Sequence, residues 1–209
     1  MTLGYYPLYS YIDEHRRGKG QVSGAGDWQI CRFVAVRVKG RDLGIMVALK
    51  VEDIKQFTSG LFIGTTFDRF LVREADIVTF NAFHMDGRIR PGYYTQEEMG
   101  EKGIEEYSPW GTMKPVCFSL IKGKRLPGSF QIVLQLDKKQ TQRFLTDRNL
   151  SVRAEQVGGL YLNIRYENGE LYCVTGTSVN FFTLDKSLDG EWDEAVKQFF
   201  KRNKIPVSV

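Results

Sequence analysis

Apolar residues recur with a regular period only from about residue 46 onward. The stretch 47–51, "VALKV", alternates as a short strand. Ile54, Phe57 and Leu61 then follow at helical spacing, behind Glu52 and Asp53, where a first helical turn favours acids. Residues 68–85, "DRFLVREADIVTFNAFHM", are dense in Val, Ile, Phe and Thr and predict one long bent strand or two strands. Asp86-Gly87 predicts a type I′ hairpin leading into "RIRPGYY", and Thr95 with Glu98 predicts a capping box opening a short helix.

Residues 100–114 are the least regular part of this region and are expected to link two halves. "PVCFSLIKG" at 115–123 predicts a helix with Pro115 in its first turn and Gly123 past its end. "SFQIVLQL" alternates as a strand, and Asp137 is placed to cap a helix whose apolar positions are Phe144 and Leu145. "LYLNIRY", Asn168-Gly169 and "LYCVT" form the clearest hairpin signal in the chain. "SVNFFTL" is expected to add another strand, with Asp185 and Ser187 as candidate caps beyond it. The last helix then places Leu188, Trp192, Ala195, Val196, Phe199 and Phe200 on one face.

Together these elements predict an α+β protein, mostly antiparallel sheet, with three to five helices packed on one face. "LKVEDIKQF" and "LQLDKKQTQRF" both run from strand directly into helix with an acidic start, and each is later followed by an Asp-Gly or Asn-Gly turn. That pattern suggests two similar βαβββ halves, the architecture of DNA sliding clamps. The expected domain is 46–209, divisible into subdomains 46–99 and 115–209.

Composition changes the picture at the N-terminus. The net charge is +4, yet residues 1–45 carry seven Lys/Arg against four Asp/Glu, leaving 22 against 21 for residues 46–209. Residues 1–29 are Gly-rich without a period and read as loop or disorder, whereas "ICRFVAVRV" at 30–38 has the pattern of a strand. Lys39-Gly40-Arg41-Asp42 can be encoded by a purine-rich run containing AGGGA, which resembles a bacterial ribosome-binding site at initiation spacing from Met46. Residues 1–45 are therefore expected to be a poorly structured extension arising from a misplaced start. Without their surplus of cations, the rest lacks the overall charge of a nucleic-acid binder.

The longest apolar run is far short of a membrane span, and no membrane partner is expected. Three widely spaced cysteines, Cys31, Cys117 and Cys173, favour reduced thiols in a cytoplasm over a disulfide framework. There is no P-loop, no dinucleotide fingerprint and no G-x-S-x-G elbow.

Four side chains are candidates for catalysis. Glu74 and Asp76 alternate onto one strand face, where both are able to reach a divalent cation. His84 lies in a strand beside a hairpin and is a candidate general base, with Asp86 nearby. The structural reading of the carboxylates is the solvated face of an edge strand, and that of His84 an exposed or half-buried strand position. Lys122, Lys124 and Arg125 are candidates for phosphate or anionic partners, or simply cations at a helix end. Cys117 and Cys173 lie in apolar sequence without metal-ligand spacing, so no metal site and no cofactor are expected.

With "ALKVEDIKQF", "DRFLVREADIVTFNAF", "PVCFSLIKGKRLPGSFQIVLQL" and "TGTSVNFFTLDKSLDGEWDEAVKQFFK" in view, the chain resembles a domain-of-unknown-function family of clostridial bacteria. The resemblance covers residues 46–209 and implies a protein beginning at the equivalent of Met46. It implies no activity, cofactor or catalytic residue. The expected function is a non-enzymatic binding or interaction module, with DNA or a protein as partner and a DNA-clamp-like scaffold as one form of it. The alternative is a small metal-dependent hydrolase using Glu74, Asp76, His84 and Asp86.

Overall fold

Residues 47–209 are described in full by a computed structural model, together with the backbone of three short stretches before them, 37–38, 41–42 and 44–46. The other residues of the 1–45 extension lie outside the described residues. Strands β1 (Arg37–Val38) and β2 (Arg41–Asp42) pair antiparallel with each other. Strand β3 runs Gly44–Val51, so the expected boundary at Met46 falls inside it.

Two residues separate β3 from helix α1 (Ile54–Phe62), and the second of them, Asp53, caps the helix: its Oδ1 accepts the Gln56 N–H at 2.9 Å. Phe57 and Leu61, one turn apart, are buried with Phe62. Lys114 closes the other end, donating from Nζ to the Gly64 carbonyl at 2.6 Å and to Asp68 at 2.5 Å. A cation there offsets the negative end of the helix dipole.

Strands β4 (Leu71–Val78) and β5 (Ala82–Asp86) are the two strands of the long apolar stretch and turn at Thr79–Asn81, while the type I′ turn expected at Asp86-Gly87 ahead of "RIRPGYY" does not form, Gly87 having no positive φ. Gly87 instead lies flat against β4. Its N–H donates to Arg73 O at 3.1 Å, and its carbonyl accepts from Ser108 at 2.9 Å. A Cβ at Gly87 would sit 2.7 Å from the Val72 carbonyl carbon and closer still to its oxygen, so the glycine is there for close approach rather than for a turn.

Helix α2 (Gln96–Lys102) carries the expected capping box of Thr95 and Glu98 and ends on Gly103 in the left-handed region. Helix α3 (Trp110–Ile121) starts five residues earlier than its sequence predicts, which puts Pro115 inside it. Tertiary contacts outweigh the proline and Gly111. The Trp110 N–H donates to Phe70 O at 2.7 Å, and its indole Nε1–H donates to Leu61 O at 2.6 Å.

Strand β6 (Ser129–Gln135) leads into α4 (Lys138–Asp147), which Asp137 caps by accepting the Gln140 N–H at 2.5 Å. Strands β7 (Val157–Glu167) and β8 (Glu170–Val179) form the expected hairpin. Asn168 and Gly169 have φ of 55° and 79°, as a type I′ turn requires. "SVNFFTL" is not a separate strand: Ser178 and Val179 end β8, and 180–184 is irregular and exposed or half-exposed. Helix α5 (Ser187–Arg202) buries Leu188, Trp192, Val196 and Phe200, and the two-residue strand β9 (Val207–Ser208) was not anticipated.

Seven strands form one antiparallel sheet in the order β5-β4-β6-β7-β8-β3-β9. One face presents Ala75, Ile77, Ile132, Leu134, Leu162, Ile164, Leu49 and Cys173 to a core shared with Phe57, Leu61, Trp110, Trp192 and Phe200 of α1, α3 and α5. Two hydroxyl–carboxylate bonds fix α5 on that face: Thr175 donates to Asp193 at 2.5 Å and Thr177 to Asp189 at 2.6 Å. The predicted α+β class, antiparallel sheet and covering helices are thus the observed ones.

The order strand-helix-strand-strand does recur, as β3-α1-β4-β5 and β6-α4-β7-β8. The corresponding strands do not occupy corresponding places, however. β6 lies between β4 and β7, while β3 lies between β8 and β9, so the strands from 46–99 are split to either side of β6, β7 and β8 in the one sheet. Local strand-helix order is written in the sequence at short range; sheet order depends on which distant edges pair.

Candidate functional site

The candidate carboxylates and histidine come together on β4 and β5. Glu74 lies directly opposite Asp86, and Asp76 directly opposite His84, in an antiparallel register. Directly opposed residues share a face, and Glu74 and Asp76 share one by their spacing of two. All four therefore stand on the sheet face turned away from α1, α3 and α5. The strand at the sheet edge is β5; β4 lies one place in, paired also with β6.

Within this face the groups pair off rather than converge. The His84 Nδ1 is 2.7 Å from Asp76 Oδ1, an exposed cross-strand pair with 63% of the His84 side chain open to solvent. The hydrogen bond to Asp76 raises the His84 pKa above its ordinary value, with partial burial opposing it. Glu74 is half-buried, and that burial, followed by the charge of Asp76 beside it, pushes its carboxyl above the usual range. Asp86 is spent locally, accepting the Arg88 N–H at 2.9 Å.

Among the described residues no three His, Cys, Asp or Glu side chains come together so as to hold a metal ion. Glu74, Asp76, His84 and Asp86 therefore do not meet closely enough to hold one cation between them. Nor does a described hydroxyl or thiol bond to the His84 ring to complete a nucleophile–base pair. Cys117 and Cys173 are free and buried; burial pushes the Cys117 thiol up to about 11 and the Cys173 thiol well above its ordinary value. Both are packing residues at neutral pH, as apolar surroundings predict.

Two features of the same face carry no signal in the sequence. A bulge between Val72 and Glu74 brings the Arg73 guanidinium 3.9 Å from the Tyr107 ring centroid, and it also donates to Gln135 Oε1 at 3.3 Å. Asn163 of β7 is 3% exposed, and its Oδ1 has no hydrogen-bond partner among the described residues. Neither residue belongs to a motif, so only the fold reveals them.

The basic candidates lie at one end of the sheet. Lys122 ends α3, and Lys124 and Arg125 follow in the α3–β6 loop. All three are exposed, and none makes an ion pair among the described residues. The loop is tied to the β4–β5 turn, since the Gly128 N–H donates to Val78 O at 2.8 Å. Two residues from either end of that bond stand Phe80, 82% exposed, and Leu126, 83% exposed. Val78 itself is 41% exposed, and the Phe80 ring meets Phe83 edge-on at 5.7 Å. The sequence singled out the cations but not the apolar pair, because exposure is not written in residue type.

No helix of the described residues is long and apolar enough to cross a membrane. Comparison with the curated proteins finds no match, and neither does comparison with the solved structures. A family model does match, over residues 60–208, which include β4 to β8 and α2 to α5. The chain belongs to that family, described as a family of unknown function (DUF5721).

Proposed function

We propose that this chain is a non-enzymatic binding module. Its working surface is the sheet end where the β4–β5 turn meets the α3–β6 loop. The observation that carries this reading is the pair Phe80 and Leu126, each more than four-fifths exposed, with three cations on the same loop as Leu126 that have no ion-pair partner among the described residues. Scattered exposed apolar residues are ordinary on a protein surface. Large ones gathered with unpaired cations on adjacent loops mark a contact surface, because the fold gains nothing from holding them in water. The cysteine usage, with Cys117 and Cys173 unpaired in the core, supports a cytoplasmic setting.

The recurrent strand-helix-strand-strand order supports a clamp-like scaffold, but the strand order lacks the two-fold such a scaffold needs. Helix α5 also opens with Asp189, Glu191, Asp193 and Glu194, so the cations Lys138, Lys139 and Arg143 of α4 are not continued onto it. We therefore keep the module and set the clamp aside.

The enzyme alternative is tested by turnover. The full chain, with Mg²⁺, Mn²⁺ or Zn²⁺ supplied, is assayed on generic phosphodiester, phosphomonoester and carboxylic-ester substrates beside Asp76→Asn and His84→Ala. The module reading expects no turnover that either substitution removes. A rate that falls a hundredfold or more in both variants, with unfolding unchanged, would make the face catalytic and end the reading.

A further inference from the structure

We infer that the occupant of this sheet end is an anionic lipid surface, engaged peripherally. The inference rests on the module reading above and names its partner. Charge decides the sign of the partner. Lys122, Lys124 and Arg125 are exposed and make no ion pair within the described residues, while Glu167 and Glu170 of the adjoining β7–β8 turn are each held by a cation of their own, Arg165 and Lys50.

The apolar side chains decide the class. Phe80 and Leu126 are exposed on two loops held together by the Gly128–Val78 hydrogen bond, and Val78 itself is partly exposed. A single-stranded nucleic acid rewards aromatic faces on which bases stack, and Leu126 offers none. The headgroup–acyl boundary of a bilayer accepts an exposed Leu and Phe alike and needs no pre-shaped pocket. It also places the phosphates of anionic lipids at the depth of the flanking cations. No membrane-crossing element is involved; the contact is with the surface only.

The magnitudes are modest and therefore measurable. Each Lys or Arg beside an anionic leaflet raises partitioning by about fivefold, and the effect fades within a Debye length as salt rises. Inserting a Leu or Phe side chain contributes about tenfold or more each. Three cations and two apolar side chains give reversible, salt-sensitive association rather than stable anchoring.

The experiment is cosedimentation of the full chain with vesicles. One set is phosphatidylcholine alone, and the other contains one part phosphatidylserine to two parts phosphatidylcholine, each at low and physiological salt. A fluorescent deoxythymidine oligonucleotide is titrated in parallel. The expected result is binding to the serine-containing vesicles, weakened by salt, with little binding to phosphatidylcholine. The combined K122E, K124E and R125E variant should lower partitioning about a hundredfold or more. Phe80→Ser and Leu126→Ser should each lower it about tenfold, with thermal unfolding unchanged because both side chains are exposed. Equal binding to both vesicle types, or binding that none of these variants weakens, overturns the inference. Absence of vesicle binding together with oligonucleotide binding that Phe80→Ser weakens also overturns it, but leaves the module standing with a nucleic-acid partner. Failure of the module itself is read separately, in the turnover of the Asp76 and His84 variants.

Discussion

Replacing Trp110 by alanine is expected to cost about 3–5 kcal/mol of stability, the range for truncating a large buried aromatic side chain. The indole is fully buried, meets the Phe62 ring edge-on at 5.8 Å and sits in the same core as Phe57 and Phe130. It also joins three elements. Its backbone N–H holds Phe70 O ahead of β4, and its Nε1–H holds the Leu61 carbonyl near the end of α1. Alanine leaves both a cavity and a carbonyl without its indole donor. Trp110→Phe separates the two effects, keeping most of the volume while losing the Nε1 bond, for about 1–3 kcal/mol. Equilibrium unfolding in urea checks both variants. A loss under about 1 kcal/mol for the alanine variant would mean that the α1–α3 contact is not as described.

Gly87→Ala is the second large effect, and a less intuitive one. The residue has no positive φ, so the cost is not backbone strain at the glycine. An added Cβ collides with the backbone of Val72, and backbone cannot rotate aside as a side chain can. The chain after β5 must lift away from β4, weakening the Gly87–Arg73 and Ser108–Gly87 hydrogen bonds. The expected loss is about 2–3 kcal/mol, as for overpacking in a tight core. Gly100 is the internal comparison: it lies within α2 with open space around it, and alanine there should stabilise by up to about 1 kcal/mol. Thermal unfolding of the two variants should move in opposite directions. A neutral Gly87→Ala would contradict the close approach.

Gly87 also shows where sequence reasoning stopped. Asp86-Gly87 has the composition of a type I′ turn, and so does Asn168-Gly169; only the second is one. The difference is tertiary. Thr79–Asn81 turns the chain earlier, without a glycine, so that β5 pairs back along the edge of β4 opposite β6, and Gly87 reaches Arg73 O at the end of that pairing. Signals confined to one or two turns were legible: the Asp53 and Asp137 caps, the Thr95–Glu98 box, and the apolar stripe of α5. The start of α3 was not, because Trp110 begins it through bonds to Phe70 and Leu61, 40 or more residues earlier in the chain.

The candidate face was half legible for the same reason. Alternation put Glu74 and Asp76 on one side of a strand, whereas their pairing with Asp86 and His84 follows from a register that the turn at Thr79–Asn81 sets. The tip was less legible still. Phe80 belongs to a run of apolar residues most of which are core, and "SVNFFTL" misled in the same way, with Phe182 and Leu184 exposed beyond β8. Residue type reports the cost of exposure, not whether the chain accepts it.

On the binding role proposed above, contact is made by the β4–β5 turn and the α3–β6 loop and not by the paired charges of the sheet face. Amide hydrogen exchange of the full chain, with and without the serine-containing vesicles, distinguishes the two surfaces. Slowed exchange is expected only at residues 78–83 and 122–128, with 71–76 and 84–86 unchanged. Protection centred on Glu74, Asp76, His84 and Asp86, or spread over the helices while the tip exchanges freely, would contradict it.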